Sequence, residues 1–332
     1  MIACIFTLDY EIYGNGEGSL AELVYEPARK LMEIFRKRDA RFVAFVEAAE
    51  FNRIEAQRSD PAIGLVSRQI SDLHKDGFEI GLHLHPQWCN ARFESGKWQL
   101  DYSEYNLCVL PRERIDEIVD GALAYLRNIL GADDFAPLSF RAGNWLFRPT
   151  ANAATVLSGR GIKVDSSVFK GGRQHRYGLD YRRALGNGYC WSFSEDVNVP
   201  NARGEMLEVP IYTKMVPFWK MITGKRLGMQ RKGPIGEGNS KGKLNRIRDF
   251  IRPCYPLKLD FCRMNLGEMT SMIDEVIMED QQNPDSFKPV VGIGHTKDLI
   301  DVETVDSFLS YLKRKGIAVS TFRDVYQKCS ES

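Results

Sequence analysis

The sequence predicts an α/β fold, a closed or nearly closed barrel of seven or eight mainly parallel strands. Short apolar runs alternate with amphipathic helical segments along most of the chain, which is the pattern of repeated β-α units. The 332 residues hold seven or eight such units, about the size of a single barrel. The composition, 43% hydrophobic and 27% charged, is that of a globular protein and excludes disordered, collagen-like and coiled-coil chains. A doubly wound open sheet is the alternative. No Gly-x-Gly-x-x-Gly follows a strand, so no dinucleotide site is expected.

Ile2–Leu8 is a continuous apolar run, as expected of a strand buried on both faces, and Arg41–Val46 and Phe78–His85 follow as the second and third strands. Glu26–Asp39 has helical spacing through Ala28, Leu31, Met32 and Phe35. Asp60-Pro61 opens a second helix that ends at Asp76-Gly77. Pro111–Leu130 is an amphipathic helix closed by Gly131. Strands are expected at Leu138–Gly143, Ile162–Val168, Glu205–Thr213 and Pro289–His295, and one more at Ile317–Thr321. Further helices are expected at Thr150–Gly159, Leu266–Gln281 and Val302–Lys315. The whole chain, 1–332, reads as one barrel domain with a basic insertion at about 214–252.

Two segments break the rhythm. Cys89–Leu110 carries Trp98, Tyr102 and Tyr105 with little periodicity. Lys214–Arg252 holds eleven basic and two acidic residues, a net +9 in a chain of net +1, and its Gly233–Gly242 stretch reads as a mobile loop. Phe218, Trp219, Met221 and Ile222 beside the lysines suit interfacial docking on an anionic partner, either a membrane surface or a lipid-phosphate carrier. No nucleic-acid motif accompanies the charge, and the near-zero net charge excludes global polyanion binding. The seven cysteines are scattered without a Cys-x-x-Cys, which fits reduced thiols in a cytoplasm. The first residues read as a core strand rather than a removable signal. A cytoplasmic protein, peripheral at the inner face of the membrane, is expected.

Catalytic groups of a parallel barrel stand at the C-terminal ends of its strands. The first strand ends in Thr7-Leu8-Asp9-Tyr10-Glu11 and the third in His83-Leu84-His85-Pro86-Gln87-Trp88. The fourth ends in Phe140-Arg141-Ala142-Gly143-Asn144-Trp145, the fifth carries Asp165-Ser166-Ser167, and the seventh ends in Gly294-His295-Thr296. Three of only five histidines fall at such ends. Strand side chains alternate, so His83 and His85 share a side, as do Asp9 and Glu11. One carboxylate and two imidazoles make a three-ligand site for Zn²⁺ or a similar divalent ion. A second carboxylate can then take a proton from water and a separate histidine can protonate a leaving group. That constellation describes hydrolysis of an amide or ester. His74, inside a helix, and His175, in a Gly/Arg-rich loop, are expected to have no catalytic role.

At these residues the sequence resembles the polysaccharide deacetylase family, the NodB-type carbohydrate esterases. Thr7-Leu8-Asp9-Tyr10-Glu11 is similar to the family's Thr-Phe-Asp-Asp motif, with the second acid two residues after the first. Gly77–His83 resembles the approach to its metal-binding His motif, Phe140-Arg141 its third motif, Asp165-Ser166-Ser167 its fourth and Ile293-Gly294-His295 its last. The strings around Asp9, His83 and Arg141 resemble the branch linked to bacterial lipopolysaccharide and O-antigen biosynthesis. The resemblance implies a distorted barrel of the NodB-homology type and metal-dependent de-N-acylation of an amino sugar or glycan precursor.

It also implies roles. Asp9 would be the general base, Glu11 the metal carboxylate, His83 a metal ligand and His295 the general acid. Arg141 would pair with the base and hold its pKa down, with Asp165 behind it. Asn144 and Trp145 would line the sugar cleft, together with Tyr10, Gln87 and Trp88 from the same motifs. The family's second metal histidine stands four residues after the first, where this chain has Gln87. His85 can replace it if the strand runs straight through. If the loop turns helical at Pro86, Gln87 lies nearer. Tyr10 occupies the usual metal Asp position. These departures motivate a competing reading, a catalytically degenerate protein that binds glycan or scaffolds an assembly complex. An amidohydrolase-type site is a third reading, short of histidines.

Overall fold

The computed structural model describes residues 1–217, 219 and 253–331. Their main sheet has nine strands. In chain order these are β1 (Ile2–Tyr10), β2 (Val43–Glu47), β3 (Glu79–Leu84), β4 (Ser139–Ala142), β5 (Val164–Asp165), β6 (Trp191–Phe193), β7 (Met206–Glu208), β8 (Lys288–His295) and β9 (Ala318–Ser320). Across the sheet the order is β6-β7-β5-β4-β3-β2-β1-β8, with β9 beside the first half of β1. Every pairing is parallel except β6 with β7. The sheet curls round until the segment after β7 reaches β8. Ile211, just past β7, bridges both Phe169 and Val291 of β8, and Tyr212 donates its N–H to the Val291 carbonyl at 2.9 Å. The expected barrel is present, closed on this side by single-residue bridges.

Strand alternation sorts the side chains into two cores. On β1, Ala3 and Ile5 point into the barrel with Val43, Phe45 and Val291, while Cys4, Phe6, Leu8 and Tyr10 face the helices. Phe322 plugs the bottom of the barrel against Phe45, ring centroids 6.1 Å apart. Inward positions farther along the strands are polar: Thr7 and Asp9 on β1 and Glu11 just past it, His83 on β3, Arg141 on β4. One face of each strand is therefore apolar at the base and chemical at the top.

The outer layer includes α1 (Glu26–Lys37), α2 (Ala48–Gln57), α3 (Ile63–Lys75), α4 (Arg112–Leu130), α5 (Ala151–Gly159), α6 (Leu266–Gln282) and α7 (Val302–Arg314), while α8 (Phe322–Ser330) closes the bottom of the barrel. Helix α3 begins at Ile63 rather than at Asp60-Pro61. The Asp60 carboxylate accepts from the Ala62 and Leu20 N–H groups, both at 2.8 Å, and holds a turn ahead of the helix. The fifth strand shrinks to Val164–Asp165, and the sixth splits into β7 and a separate Thr213–Pro217 strand paired with Cys254–Lys258. Cys89–Leu110 contains a small hairpin, Arg92–Glu94 with Lys97–Gln99. Most of the basic insertion, including Phe218, Met221, Ile222 and Gly233–Gly242, lies outside the described residues; Trp219 is exposed. Among the described residues no helix is long and apolar enough to cross a membrane.

Candidate active site

Register builds the site. Asp9 and His295 are direct partners across β1 and β8, and Glu47, His83 and Arg141 stand in one row across β2, β3 and β4. Arg141, fully buried, lies over the Phe45 ring at 4.3 Å. It donates to Asp9 Oδ1 at 2.7 Å, to Thr7 Oγ1 at 2.9 Å and to the Ser166 carbonyl at 2.9 Å. Asp9 Oδ2 is left facing His295 Nε2 at 3.4 Å. Asp298 Oδ2 stands 3.4 Å from the other ring nitrogen of His295, and Arg263 holds Asp298 at 2.5 Å.

Glu11 is the hub. Its Oε2 is 2.9 Å from His85 Nε2 and 3.6 Å from His83 Nε2; its Oε1 accepts from Lys297 Nζ at 2.9 Å. Burial would raise the Glu11 pKa, but Lys297 and the imidazoles outweigh it and hold the carboxyl well below its ordinary range. Burial likewise pulls His83 down, yet the neighbouring Glu11 and Asp9 carboxylates lift it to about 9. His85 and His295 lack enough compensation. Burial lowers both, His295 to about 4, so its imidazole rests neutral.

Two donor sets have ligand atoms within 4.8 Å of one another: Glu11, His83 and His85, and Asp9, Glu11 and His295. The first fits a divalent cation on its own chemistry. His83 Nδ1 lies 2.8 Å from the Arg141 carbonyl, an acceptor that orients the ring so that Nε2 faces Glu11, and this buried Nε2 has no hydrogen-bond partner. The side-chain amides of Gln87 and Asn144 stand 3.2 and 3.3 Å from His85 Nδ1. The buried Gln87 Oε1 is itself unpartnered. An amide oxygen turned to Nδ1–H would free His85 Nε2 for a cation.

The chain does turn helical at Pro86–Trp88, yet His85 stays on the Glu11 side and Gln87 stands behind it. Asn144 and Trp145 both adopt left-handed backbone angles, φ 54° and 60°. This brings the Asn144 amide to His85 and the Trp145 ring to within 6.2 Å of His295, centroid to centroid.

Three expected residues are not brought to the pit. Tyr10 is fully buried on the helix side of β1, because alternation turns it opposite to Asp9 and Glu11. Trp88, 1% exposed, is a core ring set edge-on to Trp98. Asp165 makes no hydrogen bond or close ion pair with Arg141, though it feels the guanidinium's charge. It bonds the Ser167 hydroxyl at 2.7 Å and faces Glu208, where burial raises both carboxyl pKa values and Asp165 lifts Glu208 further.

Sequence reasoning missed Lys297, Asp298, Glu47 and Lys258. Glu47 ends β2 as the other named residues end their strands, so the same strand-end rule could have found it. Its Oε1 accepts from the His85 N–H and its Oε2 from the Glu50 N–H, both at 2.7 Å, and burial raises its pKa to about 8. Lys258 comes from the Cys254–Lys258 strand and hangs 3.2 Å over the Trp145 ring centroid; burial pulls its pKa down to about 7.

No protein-family model matches the sequence, nor does any curated protein. Solved structures do share the fold. A candidate polysaccharide deacetylase from Mycobacterium smegmatis aligns over 99% of this chain and 90% of its own, at 12% identity and TM-score 0.55. Puue allantoinase aligns over 98% and 89%, at 12% identity and TM-score 0.52. A candidate polysaccharide deacetylase from Pseudomonas aeruginosa PAO1 aligns over 98% and 90%, at 13% identity and TM-score 0.51. At such identities the likeness establishes the fold, the distorted barrel of these proteins.

Proposed function

We propose that the protein is a metal-dependent hydrolase that removes an N-acyl group, acetyl or formyl, from an amino sugar or glycan precursor. The observation that carries this reading is the gathering of Asp9, Glu11, His83, His85 and His295 around one pit, with Arg141 fixed on Asp9. The five motifs and the shared fold support it. Glu11, His83 and His85 would hold the ion, and their one-carboxylate, two-imidazole set suits Zn²⁺. When bound, such an ion polarises the acyl carbonyl and makes water acidic.

The chain's own groups handle the protons. Arg141 occupies Asp9 Oδ1, so Oδ2 is the atom that takes a proton from the attacking water as the new C–O bond forms. His295 Nε2, 3.4 Å away, is neutral and able to receive that proton. Asp298 beside Nδ1 favours the resulting imidazolium. His295 then gives the proton to the sugar nitrogen as the C–N bond breaks, and the products are a free amine and the carboxylic acid.

On the sequence resemblance, the substrate belongs to cell-surface polysaccharide or lipopolysaccharide biosynthesis, handled in the cytoplasm or at the inner membrane face. The net +9 of Lys214–Arg252 supports an anionic membrane surface or lipid-phosphate carrier as partner.

The test combines elemental analysis of bound metal with release of amine from N-acylated sugars. Asp9→Asn and His295→Ala are each expected to lower turnover by about 10²–10⁴-fold. Full activity in both would overturn the assignment. The competing reading, a silent glycan binder, draws on Lys297, whose ammonium already neutralises Glu11. Saccharide binding by metal-free protein with no turnover would favour it.

A further inference from the structure

Lys297 sets a positive charge against the one acid of the Glu11, His83 and His85 donor set. It stands two residues past His295, in the short turn Thr296–Asp298 that follows β8. Its ammonium donates to Glu11 Oε1 at 2.9 Å and to the Ile12 carbonyl at 2.7 Å, and its side chain is only 12% exposed. The Ile12 N–H in turn donates to Glu50 at 2.8 Å, so the backbone that carries the ammonium is itself tied down. The other cations near the pit serve different acids, Arg141 on Asp9 and Arg263 on Asp298. Among the described residues Lys297 is the one lysine or arginine paired with Glu11. Burial favours a neutral amine, but the Glu11 carboxylate outweighs it, and the ammonium keeps its charge at neutral pH.

The arrangement bears on a cation in two ways. Glu11 Oε1 is taken by the ammonium, so Oε2, which faces His85 Nε2 at 2.9 Å and His83 Nε2 at 3.6 Å, is the oxygen left to offer an ion. The charge of Glu11 is also already balanced. A divalent ion drawn to Oε2 shares one carboxylate with a like charge, and at a protein's effective dielectric such repulsion costs about 10-fold or more in affinity. The same pairing keeps the metal-free chain from burying an unpaired carboxylate, which would otherwise drive tight uptake of an ion. A strut that merely joined the end of β1 to the end of β8 would need the hydrogen bonds but not the charge.

We propose that Lys297 is a resident counter-cation that competes with the metal for Glu11, so that the ion is held weakly, exchanges with the medium, and loads the site according to its supply. Lys297 is then a positioning residue, acting on the reaction through Glu11. This role presupposes the metal-dependent reading of the pit.

Affinities for Zn²⁺ and Co²⁺ are measured by competition with a chelating dye on the full chain, for the parent, Lys297→Gln, Lys297→Met and Lys297→Arg. Both neutral variants are expected to bind each ion about 10-fold tighter or more, and Lys297→Arg, which keeps the charge, to stay within about 3-fold of the parent. Loss of a strut alone would loosen the donor set and move affinity the other way. Lys297→Gln retains a side-chain donor for Glu11 and decides the matter if Lys297→Met fails to fold. A fixed excess of Zn²⁺ should also raise the melting temperature more in Lys297→Gln than in the parent. Neutral variants that bind no tighter than a metal-binding parent, or an arginine variant that binds as tightly as they do, would overturn the proposal and leave the metal-dependent reading intact. Uptake by the neutral variants alone would sink that reading for the natural chain and leave the competition standing. If no variant takes up either ion, both fall.

Discussion

Gly143 decides where His85 can stand. A Cβ at this position would lie 2.5 Å from the Leu84 carbonyl oxygen and 2.7 Å from the His85 ring. Gly143→Ala is therefore expected to push the imidazole away from Glu11 and cost about 10–100-fold in metal affinity, measured by competition with a chelating dye. Glu208 bears on stability through pH. Burial and Asp165 raise its pKa well above the ordinary value, so the folded chain holds a proton that the unfolded chain releases near pH 4.5. Its contribution is complete below that pH and is lost as pH rises, by up to about 1.4 kcal/mol per unit. Glu208→Gln removes the penalty, and its advantage in urea midpoint over the parent should grow between about pH 5 and pH 8. The histidines of the site were legible because there are only five in the chain and strand parity sends His83 and His85 inward together. Lys297 was not, since 45 basic residues give no signal of rarity, whereas Glu47 was within reach of the strand-end rule as the last residue of β2. Their roles come from where β2 and β8 end in space.

Among elements, β1, β2, β3 and β8 carry the chemistry and were the most legible, as unbroken apolar runs ending in polar groups. Helix α2 was invisible because it begins at the residue after β2, with Glu47 serving as its N-cap, so no turn signal separates the two. The strand pair Thr213–Pro217 and Cys254–Lys258 was hidden because its halves are far apart in sequence, and it delivers Lys258 to Trp145. Arg141 ties elements together: from β4 it reaches Thr7 and Asp9 on β1 and Ser166 just past β5. Arg141→Met would leave Asp9 buried and unpaired, a loss of about 3–5 kcal/mol in urea unfolding. Adding Asp9→Asn to that variant should recover part of it, because the stranded charge is then gone.

At the scale of the molecule, the basic insertion sets a net +9 against an otherwise acidic chain. Co-sedimentation with anionic vesicles is expected at low salt and should fall as ionic strength rises, because the Debye length shrinks to about 3 Å at 1 M. Absence of binding at every salt concentration would retire a membrane partner. The parallel pairing of β1 with β8 has a further consequence. Asp9 and His295 are lattice neighbours contributed from opposite ends of the polypeptide. On a ribosome, the pit would stay chemically half-built until β8 emerges and docks beside a strand made long before. A protein cleaved within 220–252 would likewise leave its two proton-handling groups on separate fragments, and regain of amine release on mixing them would report that β1 and β8 had found each other again.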